Sequence, residues 1–162
     1  MNVELRRAAF DDKSVVRELL NLYLYELSDL AGADVDAHGR FEYRYLDHYW
    51  TDERRHPFLI AADGALAGMA LVNDHTATGA QYCIAEFFVT KHRRRRGVGS
   101  AAARAAFEML LGPWEVCTDR DNEAAARFWR ATVHAYTGGA FAEYDGFGEW
   151  TGPVFTFTSG GR

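Results

Sequence analysis

Between Tyr82 and Thr118 the chain joins two apolar, strand-like runs through a turn of four consecutive arginines, two glycines and an alanine-rich helical stretch. That succession constrains the fold more than any other feature. Tyr82 to Thr90 and Trp114 to Thr118 read as strands, and Lys91 to Gly99 as the turn. Ser100 to Leu111 reads as a helix whose small side chains let it lie close against a sheet. Gly112-Pro113 stops it, because proline has no amide to donate and glycine tolerates a terminating conformation. Strands mixed with helices over one core indicate an α/β sheet with at least one crossover.

The flanking segments fit that scheme. Asn2 to Ala8 alternates in character, and Asp11-Asp12 can cap a helix over Lys13 to Asp29, where Val16, Leu19, Leu20, Tyr23 and Leu27 fall at helical spacing. Ala31 to Arg40 reads as a loop. Tyr43, Leu46, His48, Tyr49 and Trp50 then predict a second, aromatic-rich helix ending before His56-Pro57. Phe58 to Ala62 and Ala65 to Asn73 flank the turn dipeptide Asp63-Gly64 and predict a hairpin. Asn122 to Tyr136 predicts another helix, and Ala140 to Tyr144 and Val154 to Thr158 two late strands. The expected order is β-α-α-β-β-β-α-β-α-β-β.

Composition bounds the rest. At 162 residues one domain, 1–162, is expected, and a chain of this length buries about 68–70% of its unfolded surface without staples or metals. The longest apolar stretch, Ala65 to Val72, is far short of the roughly 20 residues a spanning helix needs, so no membrane role is expected. Met1 to Arg7 lacks the segments of a secretory signal, which makes the cytoplasm the expected compartment. Cys83 and Cys117 lie in apolar runs and read as reduced thiols; they and the six scattered histidines show no metal-ligand spacing, so no metal is expected. The net charge is −5, yet all basic residues but Lys13 and Lys91 are arginine and four of them are Arg93 to Arg96. One concentrated basic turn in an acidic chain points to a local anion site and against a nucleic-acid surface.

That turn carries the chemistry. Gly97 and Gly99 remove side chains where backbone must bend, and the first turn of the next helix offers unpaired N–H groups at the positive end of its dipole. Such an end cradles phosphate or pyrophosphate. Arg94-x-x-Gly97-x-Gly99 resembles the acyl-CoA-binding motif Gln/Arg-x-x-Gly-x-Gly/Ala of the GCN5-related N-acetyltransferases (GNAT). One strand later, Asn122-x-x-Ala125-x-x-Phe128-Trp129 is similar to that family's Asn-x-x-Ala-x-x-Phe-Tyr. The resemblance implies a mixed, mostly antiparallel central sheet flanked by about four helices, and transfer of an acetyl group from acetyl-CoA. It implies that Val89, Arg94, Arg95, Arg96, Gly97, Val98, Gly99 and Ser100 hold the pantetheine and pyrophosphate, largely through backbone. Asn122, Phe128 and Trp129 would border the pantetheine arm and thioester. Trp129 departs from the family's Tyr, because an indole N–H does not ionise usefully and cannot protonate a leaving thiolate. Proton delivery would then come from water, from Tyr136 or Tyr144, or be dispensable, since a thiolate of ordinary proton affinity is a tolerable leaving group.

An amine acceptor is protonated at neutral pH and must lose a proton before it attacks. Glu86 is the candidate base. Strand alternation groups Ile84, Glu86 and Phe88 on one face and Cys83, Ala85, Phe87 and Val89 on the other, so the carboxyl has apolar neighbours that raise its proton affinity. The competing reading pairs Glu86 with an arginine in a purely supporting role. By resemblance the acceptor region is the stretch after the first helix, with Glu26, Asp29, Asp34 and Asp36 followed by Phe41, Tyr43, Tyr45, Tyr49 and Trp50. Carboxylates beside aromatic faces suit a cationic small-molecule or peptide amine. A homodimer is left open. So is a non-catalytic CoA-binding module that kept the cradle without proton transfer.

Overall fold

A computed structural model describes residues 1–160. Seven strands form one sheet in the order β1-β2-β3-β4-β5-β7-β6: β1 (Val3–Arg7), β2 (His56–Ala62), β3 (Ala65–Asn73), β4 (Tyr82–Val89), β5 (Pro113–Cys117), β6 (Ala142–Phe147) and β7 (Trp150–Thr158). Every adjacent pair is antiparallel except β4 and β5, which the crossover helix makes parallel. The late strands are longer than expected, because both continue to the tight turn between Phe147 and Trp150.

Among the described residues three α-helices flank the sheet: α1 (Lys13–Ala31), α2 (Val98–Met109) and α3 (Glu123–Thr137). The expected count of about four is corrected here. The stretch read as a second helix holds only a 3-10 turn, Leu46–Trp50, whose Leu46 and Tyr49 are buried while Asp47 and His48 face outward. Those aromatics anchor a loop; they do not line a helix.

The core has two sides. Val16, Leu19 and Leu20 of α1 pack on Leu59, Met69, Leu71 and Phe88. On the opposite face, α2 and α3 pack on Phe58, Ala70, Val72, Ile84, Val116 and Phe155. Ala102, Ala103 and Ala106 of α2 are fully buried, as its small residues predict, and Phe107 fills the gap beneath Trp114. Full burial of such large apolar side chains contributes roughly 1.5–3 kcal/mol each.

Strand β4 breaks the alternation read from sequence. Leu71 pairs with Glu86 but Val72 pairs with Ile84, so Ala85 is the extra residue of a bulge. Ile84 therefore joins the α2 and α3 side, whereas Phe88 sits on the α1 side, and the single face expected for Ile84, Glu86 and Phe88 does not exist. A period of two holds only where pairing is regular.

Candidate active site

The bulge lies where β4 parts from β5. The two strands pair only from Tyr82 to Ile84 on one side and Trp114 to Val116 on the other. Beyond Ile84, β4 keeps β3 as a neighbour and opens toward a fork. Phe87 forms one wall of it, stacked on Phe128 of α3 at 5.9 Å and edge-on to Trp129 at 5.0 Å.

The arginine turn closes the end of the fork. Arg94 is tied inward by its side chain: Nε donates to the Val89 carbonyl at 2.6 Å, and the guanidinium pairs with Glu26 of α1 and lies 5.5 Å from the Phe88 ring. Its guanidinium is thus a brace between β4 and α1, and its backbone is what faces the turn. Arg93 pairs loosely with Asp63, while Arg95 and Arg96 are exposed. Arg95 has φ +60°, a left-handed conformation costing a non-glycine residue roughly 1–2 kcal/mol, and Gly97 follows at φ +80°.

Gly97 is the N-cap of α2 and brings no side chain to it, and no acidic residue stands in the first helical turn. Its carbonyl accepts from Ala101 N at 3.0 Å, so the amides of Val98, Gly99 and Ser100 are presented to an outside acceptor. Gly99 has a different reason from the one expected. It sits within the helix, and a Cβ there would come within 3.1 Å of the Phe128 ring, so its bareness lets α3 approach the cradle. Ser100 Oγ lies 3.4 Å from Thr132 Oγ1. Bare backbone donors, exposed arginines and an apolar fork are groups whose chemistry suits the pyrophosphate and pantetheine of coenzyme A.

Two predicted cofactor residues hold structural positions as well. The Asn122 side chain accepts from Ala125 N at 3.1 Å and caps α3, so its oxygen is committed. Trp129 is only 5% exposed and belongs to the core beside Phe87 and Phe128.

Glu86 lies at the bulge on the α1 side. Burial pushes its carboxyl up to about 7, hydrogen bonding from the Tyr23 and Tyr43 hydroxyls pulls it back, and Asp119 raises it further. Tyrosines of α1 and the following loop are its partners, which disfavours the arginine-neutralised reading. The sequence signal for them was present but ambiguous: Tyr23 fell on the core face of α1 and Tyr43 in the aromatic run, with nothing to say that both hydroxyls meet one carboxyl. Tyr136 and Tyr144, named from sequence as proton donors, lie elsewhere. Tyr136 packs against Phe107 and Phe157, and Tyr144 is on edge strand β6 beside Phe147.

Among the expected acceptor carboxylates, Glu26 is engaged by Arg94, and Asp36 accepts from the backbone amides of His38 and Arg40 to shape its own loop. Asp29 and Asp34 are exposed. Cys83 and Cys117 are free thiols, and burial raises Cys83 well above the ordinary range and Cys117 to about 12. Among the described residues no cluster of His, Cys, Asp and Glu could hold a metal, and no helix is long and apolar enough to cross a membrane.

The model of the acetyltransferase (GNAT) family matches residues 17–133. No curated protein matches the sequence. Among solved structures the chain is similar to an acetyltransferase from Thermus thermophilus, with a TM-score of 0.70 and 14% identity over 98% of this chain and 97% of that one. It is also similar to PaiA N-acetyltransferase from Thermoplasma acidophilum in complex with coenzyme A, with a TM-score of 0.63 and 12% identity over 98% and 99% of the two chains. A third similar structure is aminoglycoside acetyltransferase AAC(6′)-Ib in complex with coenzyme A and kanamycin, with a TM-score of 0.63 and 17% identity over 97% and 95%. At these identities the likeness is one of fold.

Proposed function

The chain belongs to the acetyltransferase (GNAT) family, and from that premise we propose that it transfers an acetyl group from acetyl-CoA to a primary amine of a small molecule or peptide by direct attack, with Glu86 as the base. One observation carries the reading: a carboxyl whose proton affinity is raised to about 7 lies on the strand that opens into the fork and leads to the bare α2 N-terminus.

Bound acetyl-CoA supplies a thioester carbonyl open to attack. The amides of Val98, Gly99 and Ser100 bind pyrophosphate oxygens, Phe87 and Phe128 exclude water from the pantetheine path, and Arg95 and Arg96 add attraction at the rim. A base with a proton affinity near the working pH is half deprotonated there and can take the proton that the amine nitrogen loses as it attacks the thioester, directly or through one water. The Tyr23 hydroxyl is itself held protonated by burial and by Glu86, so it orients the carboxyl without competing as a base. No enzyme thiol intervenes, because Cys83 and Cys117 both stay protonated at neutral pH and a protonated thiol is a poor nucleophile. A thiolate with an affinity near 8.5 leaves tolerably without a proton, which suits Trp129 in place of tyrosine.

The test is release of free thiol from acetyl-CoA with a panel of small amines and peptides. Amine-dependent release that Glu86→Gln suppresses supports the reading. Tight binding of coenzyme A with no amine-dependent release points instead to a binding module.

A further inference from the structure

Between α1 and the loop that follows it lies a cavity of about 70 Å³, several times the roughly 10–15 Å³ that one water requires. Leu20, Leu46 and Tyr43 form part of its wall, and all three belong to the apolar cluster that contains Leu71, the residue paired with Glu86 across β3 and β4. The cavity therefore lies on the sheet face that carries Glu86. Both of its sides are fixed. Asn21 Oδ1 on α1 accepts the Phe41 amide at 3.0 Å, and Asp36 closes the loop by accepting the His38 and Arg40 amides at 2.8 and 3.0 Å.

The charged part of the lining is half-buried Arg17 on α1, exposed Arg40 on the loop and one acid, exposed Glu18. None of the carboxylates expected to draw a cation, Glu26, Asp29, Asp34 and Asp36, lines it. Among the described residues every arginine but four donates a side-chain hydrogen bond or forms an ion pair. Two of the four, Arg95 and Arg96, stand beside the bare end of α2, and the other two are Arg17 and Arg40. Asp47 attracts Arg17 at longer range, but its own ion pair is with Lys13 at 2.6 Å. Asp36 attracts Arg40, but its hydrogen bonds go to backbone amides. In a chain with more acidic than basic residues, two guanidiniums left without a carboxylate at one preformed cavity mark a place for an outside anion. A guanidinium presents paired N–H donors that match the geometry of a carboxylate.

We propose that this cavity seats an acid group of the acceptor, so that the preferred substrate is a primary amine that also carries a carboxylate, held by Arg17 and Arg40. The size of the cavity suits a carboxylate on a short chain, with the amine left outside it on the Glu86 face.

This inference rests on the chain acting on an amine, and two readouts keep the two apart. The first is turnover with short primary amines matched in length and ending in either a carboxylate or the corresponding carboxamide. Wild type is expected to favour the carboxylates. Arg17→Gln is expected to raise their KM about tenfold and the more exposed Arg40→Gln about threefold, with the KM of the carboxamides unchanged in both. Equal preference for the two series, or a KM that rises alike for both in the variants, overturns the proposal. The second readout is calorimetric binding of the same compounds to the protein loaded with coenzyme A, which needs no chemistry. Carboxylate binding that the arginine variants weaken, in a protein that turns over none of the amines, keeps the site and removes the acyl-transfer reading. Carboxylates that bind no better than carboxamides remove the site, whatever the turnover.

Discussion

Half-buried Glu86 and buried Glu115 are acids on neighbouring strands, and the fold treats them in opposite ways. Glu115, 1% exposed on β5, accepts the backbone amides of Ala77 and Thr78 at 2.8 and 2.9 Å and the Thr78 hydroxyl at 2.6 Å. Its carboxylate is fully served within the chain and pins the loop between β3 and β4. Glu86 instead faces two phenols, and its proton affinity rises. A buried carboxylate with enough donors is structural, and one with too few is held ready to take a proton. The helix ends repeat the contrast, since Asn122 closes α3 with its own side chain while Gly97 leaves α2 open to an anion.

Five substitutions and titrations break or sharpen that contrast. The largest effect is expected for Glu86→Gln, which removes the proposed base and should lower turnover by roughly 10²–10⁴-fold. The same steady-state assay should show wild-type kcat/KM falling as pH drops below about 7, a limb absent from the variant. Glu115→Ala should do the reverse: about 3 kcal/mol of stability is lost in urea unfolding, as the loop donors lose their acceptor and a cavity opens, while the acid limb stays in place.

The folded form holds the Glu86 proton more tightly than the unfolded chain, about 7 against 4.5, so it binds more protons between those values. Stability contributed there is present at low pH and lost as pH rises through 7. Glu86→Gln should therefore exceed wild type in stability at pH 8 by up to the order of 3 kcal/mol, with the gain vanishing below pH 5, read from unfolding midpoints across pH. A constant offset across pH would remove the case that Glu86 is desolvated without adequate partners.

Smaller effects test the helix ends. Gly99→Val should weaken coenzyme A binding about tenfold or more by calorimetry, because the added side chain drives Phe128 from the cradle. Arg93→Ala, which removes only a loose, partly exposed pairing with Asp63, should cost less than about fivefold. The reverse order would shift the weight from backbone to arginines. Asn122→Ala should remove about 1 kcal/mol of stability in the same urea experiment through loss of the α3 cap.

Much of this was legible in residues that act locally. Helix α1, the hairpin of β2 and β3, the crossover helix and the glycine turn all declare themselves by periodicity or turn chemistry, and each stands within a few residues of its expected bounds. The aromatic run of Tyr43 to Trp50 misled, because spacing alone does not distinguish a helix from a loop that inserts single side chains into a core. The partners of Arg94 and Glu115 lie 68 and 37 or 38 positions away, beyond the reach of any local pattern.

The sequence by itself determined that this is an α/β chain with a glycine turn opening a helix at Arg94 to Ser100, the proposed anion cradle, and a carboxyl on the strand before it. Those follow from local backbone preferences and side-chain type. Only the tertiary structure decided what the carboxyl does. The bulge at Ala85 turns Glu86 to the α1 side, where Tyr23 and Tyr43 meet it, and the parting of β4 from β5 opens the fork beside it. Proton affinity depends on everything packed around a group in space, and a linear sequence carries that information only through the fold.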